Sequence, residues 1–238
     1  MTAFHVISLF PESFRSYLGA SIVKRAEKKG SIKIAYYNPR DFVSQHGKKN
    51  GRSPYKDRRV DDRPYGGGPG MVIQAMPVAR AIEAAVGQKL KVALTGKNSG
   101  RKKVKIIFFV PHGDQFTNDT AESLRKYSDI VLVCGRYEGI DARIRNMFPV
   151  SILSIGPYIL TGGELPAMVV LDAVTRRISG VLGDDLSVEE RRIAGTNVYT
   201  RPEVLQYKGK KYRVPKILLT GHHKKINEWK LKKRGKKS

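Results

Sequence analysis

The sequence contains few of the features that mark secreted, membrane-spanning or metal-binding proteins. Cys134 is the single cysteine among 238 residues, which excludes an intrachain disulfide and a cysteine-based zinc site. No apolar run approaches the roughly 18 residues of a membrane span, and Met1 to Phe10 lacks the pattern of a signal peptide. The neighbouring His222 and His223 lack other ligands, so no metal site is predicted. We expect a soluble cytoplasmic protein with no membrane partner.

Acidic residues are also scarce. The chain has 21 Asp and Glu against 45 Lys and Arg, a formal net charge of +24 at pH 7. Because 40% of the residues are hydrophobic, the chain can still bury a core, which excludes a disordered basic tail protein. A folded protein with so positive a field attracts polyanions, so nucleic acid is the first partner to consider and an anionic membrane surface is the second.

Short apolar runs alternate with helical patterns along the chain. The runs predict strands at 4–10, 32–37, 106–110, 130–134 and 151–155, and the helical patterns lie at 14–29, 77–86, 117–127 and 164–177. Strands alternating with helices predict an α/β domain, with a mostly parallel sheet and helices on both faces. Basic segments without periodicity predict loops at 44–63 and 89–105.

Composition divides the chain into three parts. Residues 1–180 carry the α/β pattern, 181–195 are predicted to be an interdomain linker, and 196–238 are predicted to be a small basic helical domain ending in a disordered tail. From Lys208 onward the only acid is Glu228, so this domain is a candidate for binding RNA phosphates. Its aromatic residues either stack on unpaired bases or pack within the domain; they are Tyr207, Tyr212 and Trp229.

Three predicted strands run directly into loops that contain glycine, at 110–113, 134–139 and 155–163. Ligands of open parallel sheets bind beyond the carboxyl ends of the strands, and glycine lets backbone groups approach a ligand closely. The three loops can therefore form one pocket for a flat polar heterocycle, although each alone is equally consistent with an ordinary turn. The glycine-rich segment at 66–70 lacks the spacing of a dinucleotide fingerprint and the Lys-Ser/Thr of a P-loop.

Six short motifs follow one another along nearly the whole chain. They are Leu9–Glu12, Asn38–Phe42, Val60–Met71, Cys134–Asp141, Gly162–Met168 and Tyr199–Pro202. In this order they closely resemble the motifs of bacterial tRNA (guanine-N1)-methyltransferases of the SPOUT superfamily. The resemblance implies a homodimer with a composite active site and a deep trefoil knot. It also implies S-adenosylmethionine-dependent methylation of guanine N1 at the guanosine immediately 3′ of the tRNA anticodon, with the anticodon stem-loop as partner.

The resemblance assigns roles to individual residues. The cofactor contacts that it implies are Pro111, Gly135, Tyr137, Ile155, Gly156, Tyr158, Leu160, Gly162, Gly163 and Pro166. Glu138 corresponds to the residue that recognises the guanosine before the target base, where a carboxylate can accept from N1–H and N2–H₂. Arg176 corresponds to a catalytic arginine that stabilises charge on guanine O6. Relatives also require Mg²⁺, although this sequence has no distinct metal-ligand spacing.

One position departs from the family pattern. The family has its general base, an aspartate from the other subunit, in the interdomain linker, where this chain has Arg191. Glu190 is the nearest carboxylate and is the predicted base, since glutamate reaches about one methylene further than aspartate. Weaker candidates are Asp184, Asp185 and Glu189. Two alternatives stay open: a slow or non-catalytic RNA-binding protein on the same scaffold, and a related enzyme that modifies another RNA.

Overall fold

A computed structural model describes residues 1–43, 58–87, 103–182 and 197–234. Its contacts divide the chain into two compact units, Met1–Leu182 and Gly183–Ser238. The predicted basic loops at 44–63 and 89–105 lie mostly outside the described residues, as do nearly all of the predicted linker and the end of the predicted tail.

The first unit is built on a five-stranded sheet in the order β2-β1-β6-β5-β7, in which every neighbouring pair is parallel. Its strands are β1 (Thr2–Ile7), β2 (Ile32–Tyr37), β5 (Val104–Gln115), β6 (Asp129–Val133) and β7 (Val150–Ser154). A separate antiparallel ribbon pairs β3 (Asp61–Asp62) with β4 (Val72–Ile73). All five predicted strands are present, and the predicted mostly parallel sheet is confirmed.

Helices cover both faces of this sheet. On one face lie α1 (Arg15–Leu18), α2 (Ser21–Lys28), α4 (Asn118–Leu124) and α6 (Glu164–Thr175), and on the other α3 (Ala75–Val86) and α5 (Ile144–Met147). Successive strand residues point to opposite faces, so Ile130 and Leu132 of β6 pack in one cluster and Val131 and Val133 in the other. This alternation of wholly apolar residues requires a helical layer on each side.

Two predicted elements differ in the structure. The single helix predicted at 14–29 is two short helices, because the chain turns at Gly19 and Ala20 and Ser21 has a φ of 47°. Strand β5 continues past Val110 to Gln115, because it pairs with β7 on both sides of an irregularity between Phe109 and Asp114. This extension contains polar residues, so apolar periodicity does not predict it as a strand.

The second unit is described over residues 197–234. It contains a hairpin of β8 (Val204–Tyr207) and β9 (Lys210–Arg213), a 3₁₀ turn (Lys216–Leu219) and helix α7 (His223–Arg234). The turn residues Lys208 and Gly209 have φ values of 47° and 74°, as a two-residue type I′ hairpin loop requires. The prediction of a small basic helical domain therefore missed this hairpin, because strands so short and polar carry almost no apolar pattern.

Candidate active site

A small pocket lies between the irregularity in β5 and the carboxyl end of β7. It is lined by Phe109, Val110, Pro111, Leu153, Ser154, Ile155, Gly156, Tyr158, Leu160, Gly162 and Pro166. Pro166 belongs to the first turn of α6, which begins where the loop after β7 ends. Most lining side chains are apolar, and Gly162 is partly exposed, whereas both backbone groups of the buried Gly156 are hydrogen-bonded to the Ser154 hydroxyl. This combination suits a flat heterocycle with hydrogen-bonding edges.

Seven of the ten predicted cofactor residues line this pocket: Pro111, Ile155, Gly156, Tyr158, Leu160, Gly162 and Pro166. The other three lie in or against the loop after β6. The Gly163 N–H donates to the carbonyl oxygen of Gly135 at 2.9 Å, and Tyr137 is exposed. A Cβ on Gly163 would lie 2.7 Å from the Cα of Cys134, so α6 approaches β6 this closely only because residue 163 has no side chain.

Tyr158 fills part of the pocket. Its hydroxyl donates to the carbonyl oxygen of Ile155 at 3.1 Å, and its ring lies so close to Gly156 that a Cβ there would overlap it. In this conformation the pocket holds about 60 Å³, against roughly 300–1,000 Å³ for typical small-molecule sites. The Tyr158 side chain is half exposed, so rotation of its ring toward solvent can enlarge the pocket.

Glu138 lies on a loop that is anchored to the glycine-rich segment. Its N–H donates to the carbonyl oxygen of Met71 at 3.0 Å, and the Ile73 N–H donates to the carbonyl oxygen of Gly139 at 2.9 Å. The preceding residue, Tyr137, has a φ of 58°, a left-handed conformation that is uncommon for residues other than glycine and costs free energy. The exposed Glu138 carboxylate lies against Gly70. Backbone hydrogen bonds therefore fix the loop that carries the predicted substrate-recognition residue, while its carboxylate faces solvent.

Arg176 lies at the other end of α6 from the pocket. It caps the helix, and its N–H donates to the carbonyl oxygen of Asp172 at 3.1 Å. Arg176 is ten positions after Pro166, which corresponds to a rise of about 15 Å along the helix. Partial burial raises the pKa of Asp172, and the nearby Arg176 charge opposes that rise. Within one chain, the predicted catalytic arginine does not reach the predicted cofactor pocket.

The predicted general base, Glu190, lies outside the described residues, together with Arg191 and the weaker candidates Asp184, Asp185 and Glu189. Within the described ranges, no three His, Cys, Asp or Glu side chains are grouped so that they could hold a metal ion. Among the described helices, none is long and apolar enough to cross a membrane.

One cluster at this end of the sheet was missed by the sequence reasoning. Glu164, the first residue of α6, is only 4% exposed and contacts Ser8 and Arg136. The sequence feature that could have indicated this cluster is a glutamate at the start of an otherwise mostly apolar helix. From periodicity alone, such a residue is expected to be an exposed charge that interacts with the helix dipole, not a buried side chain.

Comparisons with known proteins agree on one family. The family model described as tRNA (Guanine-1)-methyltransferase TrmD matches residues 2–238. The curated tRNA (guanine-N(1)-)-methyltransferase of Photobacterium profundum is 42% identical over 231 residues, covering 95% of this chain and 83% of the relative. That of Thermomicrobium roseum is 42% identical over 229 residues, covering 95% and 76%. The crystal structure of tRNA (m1G37) methyltransferase from Aquifex aeolicus is 35% identical, with a TM-score of 0.71, and the match covers 98% of this chain and 89% of that one.

Proposed function

This chain belongs to the tRNA (guanine-N1)-methyltransferase family, and from that premise we propose that it methylates N1 of the guanosine immediately 3′ of the tRNA anticodon. The methyl donor is S-adenosylmethionine. The observation that carries the proposal is the pocket between the irregularity in β5 and the end of β7, which seven of the ten expected cofactor residues line. The alternative of a non-catalytic RNA-binding protein lacks support, because the matched family and the relatives compared are methyltransferases.

The pocket lining fits S-adenosylmethionine chemically. Ile155, Leu160 and Pro166 offer apolar surfaces for the adenine ring, and the partly exposed backbone at Gly162 offers hydrogen bonds to its edge. When bound, the cofactor supplies an electrophilic methyl group on a sulfonium sulfur. Tyr158 must rotate out of the pocket for the whole nucleoside to enter.

The chain's own residues then orient guanine and handle its proton. Neutral guanine carries a proton on N1, so a base must accept this proton as N1 attacks the methyl group. We assign that role to the Glu190 carboxylate in the linker. The Arg176 guanidinium stabilises the negative charge that develops on O6, and Glu138 accepts hydrogen bonds from the preceding guanosine.

One exposed face of α6 supports a homodimer with a composite site. Leu165, Val169, Asp172 and Arg176 follow the i, i+4, i+7, i+11 spacing of one helix face, which we call the α6 stripe. Leu165 is 56% exposed and Val169 44%, which is unusual for large apolar residues next to each other on a helix. Packing of two copies through this stripe about a two-fold axis brings Arg176 of the partner subunit toward the pocket. The 15 Å separation within one chain is thereby bridged.

The path of the chain after β7 supports a knot. Strand β7 is at the sheet edge, outside β5, yet the segment that follows returns to the end of β6, where Gly163 donates to Gly135. To do so it must pass the segment that leaves β5. Connections that thread one another are rare, so the trefoil knot is expected here from the family resemblance, and the return of this segment past β5 agrees with it.

The second unit supports tRNA binding through its hairpin. Its exposed basic residues are Lys208, Lys210, Lys211 and Arg213. Tyr207 is 63% exposed and Tyr212 54%, so both rings are available to stack on unpaired bases, whereas Trp229 is partly buried. We propose residues 1–180 as the catalytic domain, 181–195 as the linker that carries the base, and 196–238 as the domain that binds the anticodon stem-loop.

The proposal is tested with two unmodified anticodon stem-loops and labelled S-adenosylmethionine. One carries two consecutive guanosines at the anticodon boundary, and the other has inosine or adenosine in place of the second. We expect label only in the first RNA, as 1-methylguanosine. Tight binding of both RNAs without transfer to either would contradict the proposal and would favour a binding protein.

A further inference from the structure

A buried charged cluster connects the loops at the carboxyl end of the sheet. Glu164 accepts a hydrogen bond from the Ser8 hydroxyl at 2.7 Å through Oε1, and its Oε2 lies 3.0 Å from Nε of Arg136. The side chain of Glu164 is 5% exposed and that of Arg136 is 24% exposed. Arg136 Nε and Glu164 Oε2 are both buried, and neither has a hydrogen-bond partner among the described residues, so their electrostatic compensation comes from this ion pair.

Arg136 extends the cluster to two further segments. Its Nη1 donates to the carbonyl oxygen of Thr161 at 3.3 Å, and its guanidinium lies 4.6 Å from the centroid of the Phe10 ring. The Ser8 hydroxyl also accepts from the Phe10 N–H at 2.9 Å. The cluster therefore joins the segment after β1, the loop after β6, the loop after β7 and the first turn of α6.

A contribution to folding stability does not by itself explain why this charged cluster is buried. Burying an ion pair costs desolvation, and replacing one with apolar residues of similar volume is often neutral or stabilising. A bulky apolar pair at 136 and 164 could fill the same space. What it could not supply is the hydrogen bond from Arg136 Nη1 to the Thr161 carbonyl oxygen, which directly joins the loop after β6 to the loop after β7.

The positions that the cluster fixes are those of the proposed active site. Arg136 immediately precedes Tyr137, whose left-handed backbone persists only if its surroundings hold it, and Glu138 follows. On the other side, Thr161 immediately precedes Gly162, which lines the pocket. Neither Arg136 nor Glu164 lines the pocket itself.

We propose that Arg136 and Glu164 are positioning residues that set the relative position of the loops after β6 and β7, and so form the cofactor pocket. This inference rests on the proposed function. It assigns to the pair a role in cofactor affinity that is separate from its contribution to folding.

Affinity and stability can be separated with a neutral double variant. The single variants Glu164→Gln and Arg136→Met each leave a buried charge without its partner, so both should unfold at lower temperature and bind S-adenosylmethionine more weakly. The double variant Arg136→Met with Glu164→Gln has no unpaired charge, so its melting temperature should return close to that of the wild type. Because the directed contacts are still missing, its affinity by calorimetry should stay about tenfold or more below wild type, with KM for the cofactor raised more than kcat is lowered.

Arg136→Lys is a second variant that keeps the charge. One ammonium group cannot reproduce the guanidinium contacts to both Glu164 and Thr161, so we expect near-native stability with affinity reduced several-fold. The matched control is Arg125→Met, which removes an exposed arginine paired with Glu122 on α4 and should change neither quantity.

The outcomes distinguish the two proposals. If the double variant and Arg136→Lys are stable and bind the cofactor as tightly as the wild type, the positioning role is wrong and the proposed function stands. If the wild-type protein itself does not bind S-adenosylmethionine, the proposed function fails and the positioning role fails with it.

Discussion

Single residues at the end of the sheet are constrained by space as much as by chemistry. Gly163 is the clearest case, because the backbone of Cys134 occupies the position that any side chain would take. The sequence predicted the loop of Gly163 from its glycines, and the motif resemblance supplied the residue roles. The sequence alone could not predict the contact between Glu164 and Arg136. The two positions are 28 apart in the chain, and the whole of β7 lies between them.

Gly163→Ala should therefore be a damaging substitution. The added Cβ would lie 2.7 Å from Cys134 Cα, which forces α6 away from β6 and weakens the hydrogen bond to Gly135. We expect a loss of about 1–3 kcal/mol in unfolding free energy, measured by urea denaturation, together with weaker cofactor binding. Gly135→Ala is the control for stability, since its Cβ would meet only the Ile140 side chain at 3.7 Å. Equal stability of the two variants would contradict the packing argument.

Asp172 provides a prediction about pH. Partial burial raises its pKa in the folded chain above the unfolded value, so its contribution favours folding at low pH and is lost as the pH rises through the folded pKa. Asp172→Asn should therefore be more stable than the wild type at neutral pH. This advantage should disappear as the pH falls below about 4. Unfolding measured across this range would contradict the account if the variant were less stable at neutral pH and recovered in acid.

Among the secondary-structure elements, the buried strands could be predicted and the hairpin of the second unit could not. Strand β6 consists of apolar residues except for its first, a pattern that indicates burial on both faces. Strands β8 and β9 are almost fully exposed, so no apolar pattern marks them, and their turn is recognisable mainly from backbone angles. An element that faces solvent on both sides is available for a partner.

The hairpin yields a prediction about RNA affinity. Two cross-strand pairs lie on one face of the hairpin. Leu205 is paired with Tyr212 and Tyr207 with Lys210, and residues two apart along a strand point to the same side. Replacing both tyrosines with alanine should weaken tRNA binding by about tenfold or more, at about 1–3 kcal/mol per stacked base. Replacing both with phenylalanine keeps the ring faces and should retain most of the affinity. Equal weakening in both variants, measured by filter binding at fixed salt, would exclude stacking.

At the scale of the whole molecule, the proposed active site is incomplete within one chain. The cofactor pocket and Arg176 lie at opposite ends of α6, and the exposed α6 stripe runs between them. The role of Arg176 was predicted only from the family resemblance. Apolar periodicity predicted the helix, but it did not predict that Leu165 and Val169 are exposed. That exposure depends on which neighbouring elements cover the helix, which a single helical pattern does not encode.

Charges on the α6 stripe should separate the copies. Leu165→Glu with Val169→Glu introduces two carboxylates on this face, so each would be buried without a partner in a dimer. We expect a folded monomer by sedimentation, with unchanged far-ultraviolet circular dichroism and no methyl transfer. Leu165→Met with Val169→Ile is the apolar control and should remain dimeric and active. A dimeric glutamate variant would show that the copies associate through another surface.

The most direct test of the account is complementation between two inactive copies. Arg176→Ala leaves the pocket intact, and Leu160→Asp places a charge in the apolar pocket lining on the loop before α6, which leaves Arg176 in place. If one site is built from two chains, co-refolding equal amounts of the two variants should restore about a quarter of wild-type 1-methylguanosine formation, because half of the dimers are mixed and each has one complete site. Activity no greater than the sum of the separate variants would show that each chain builds its site alone, and would contradict the account.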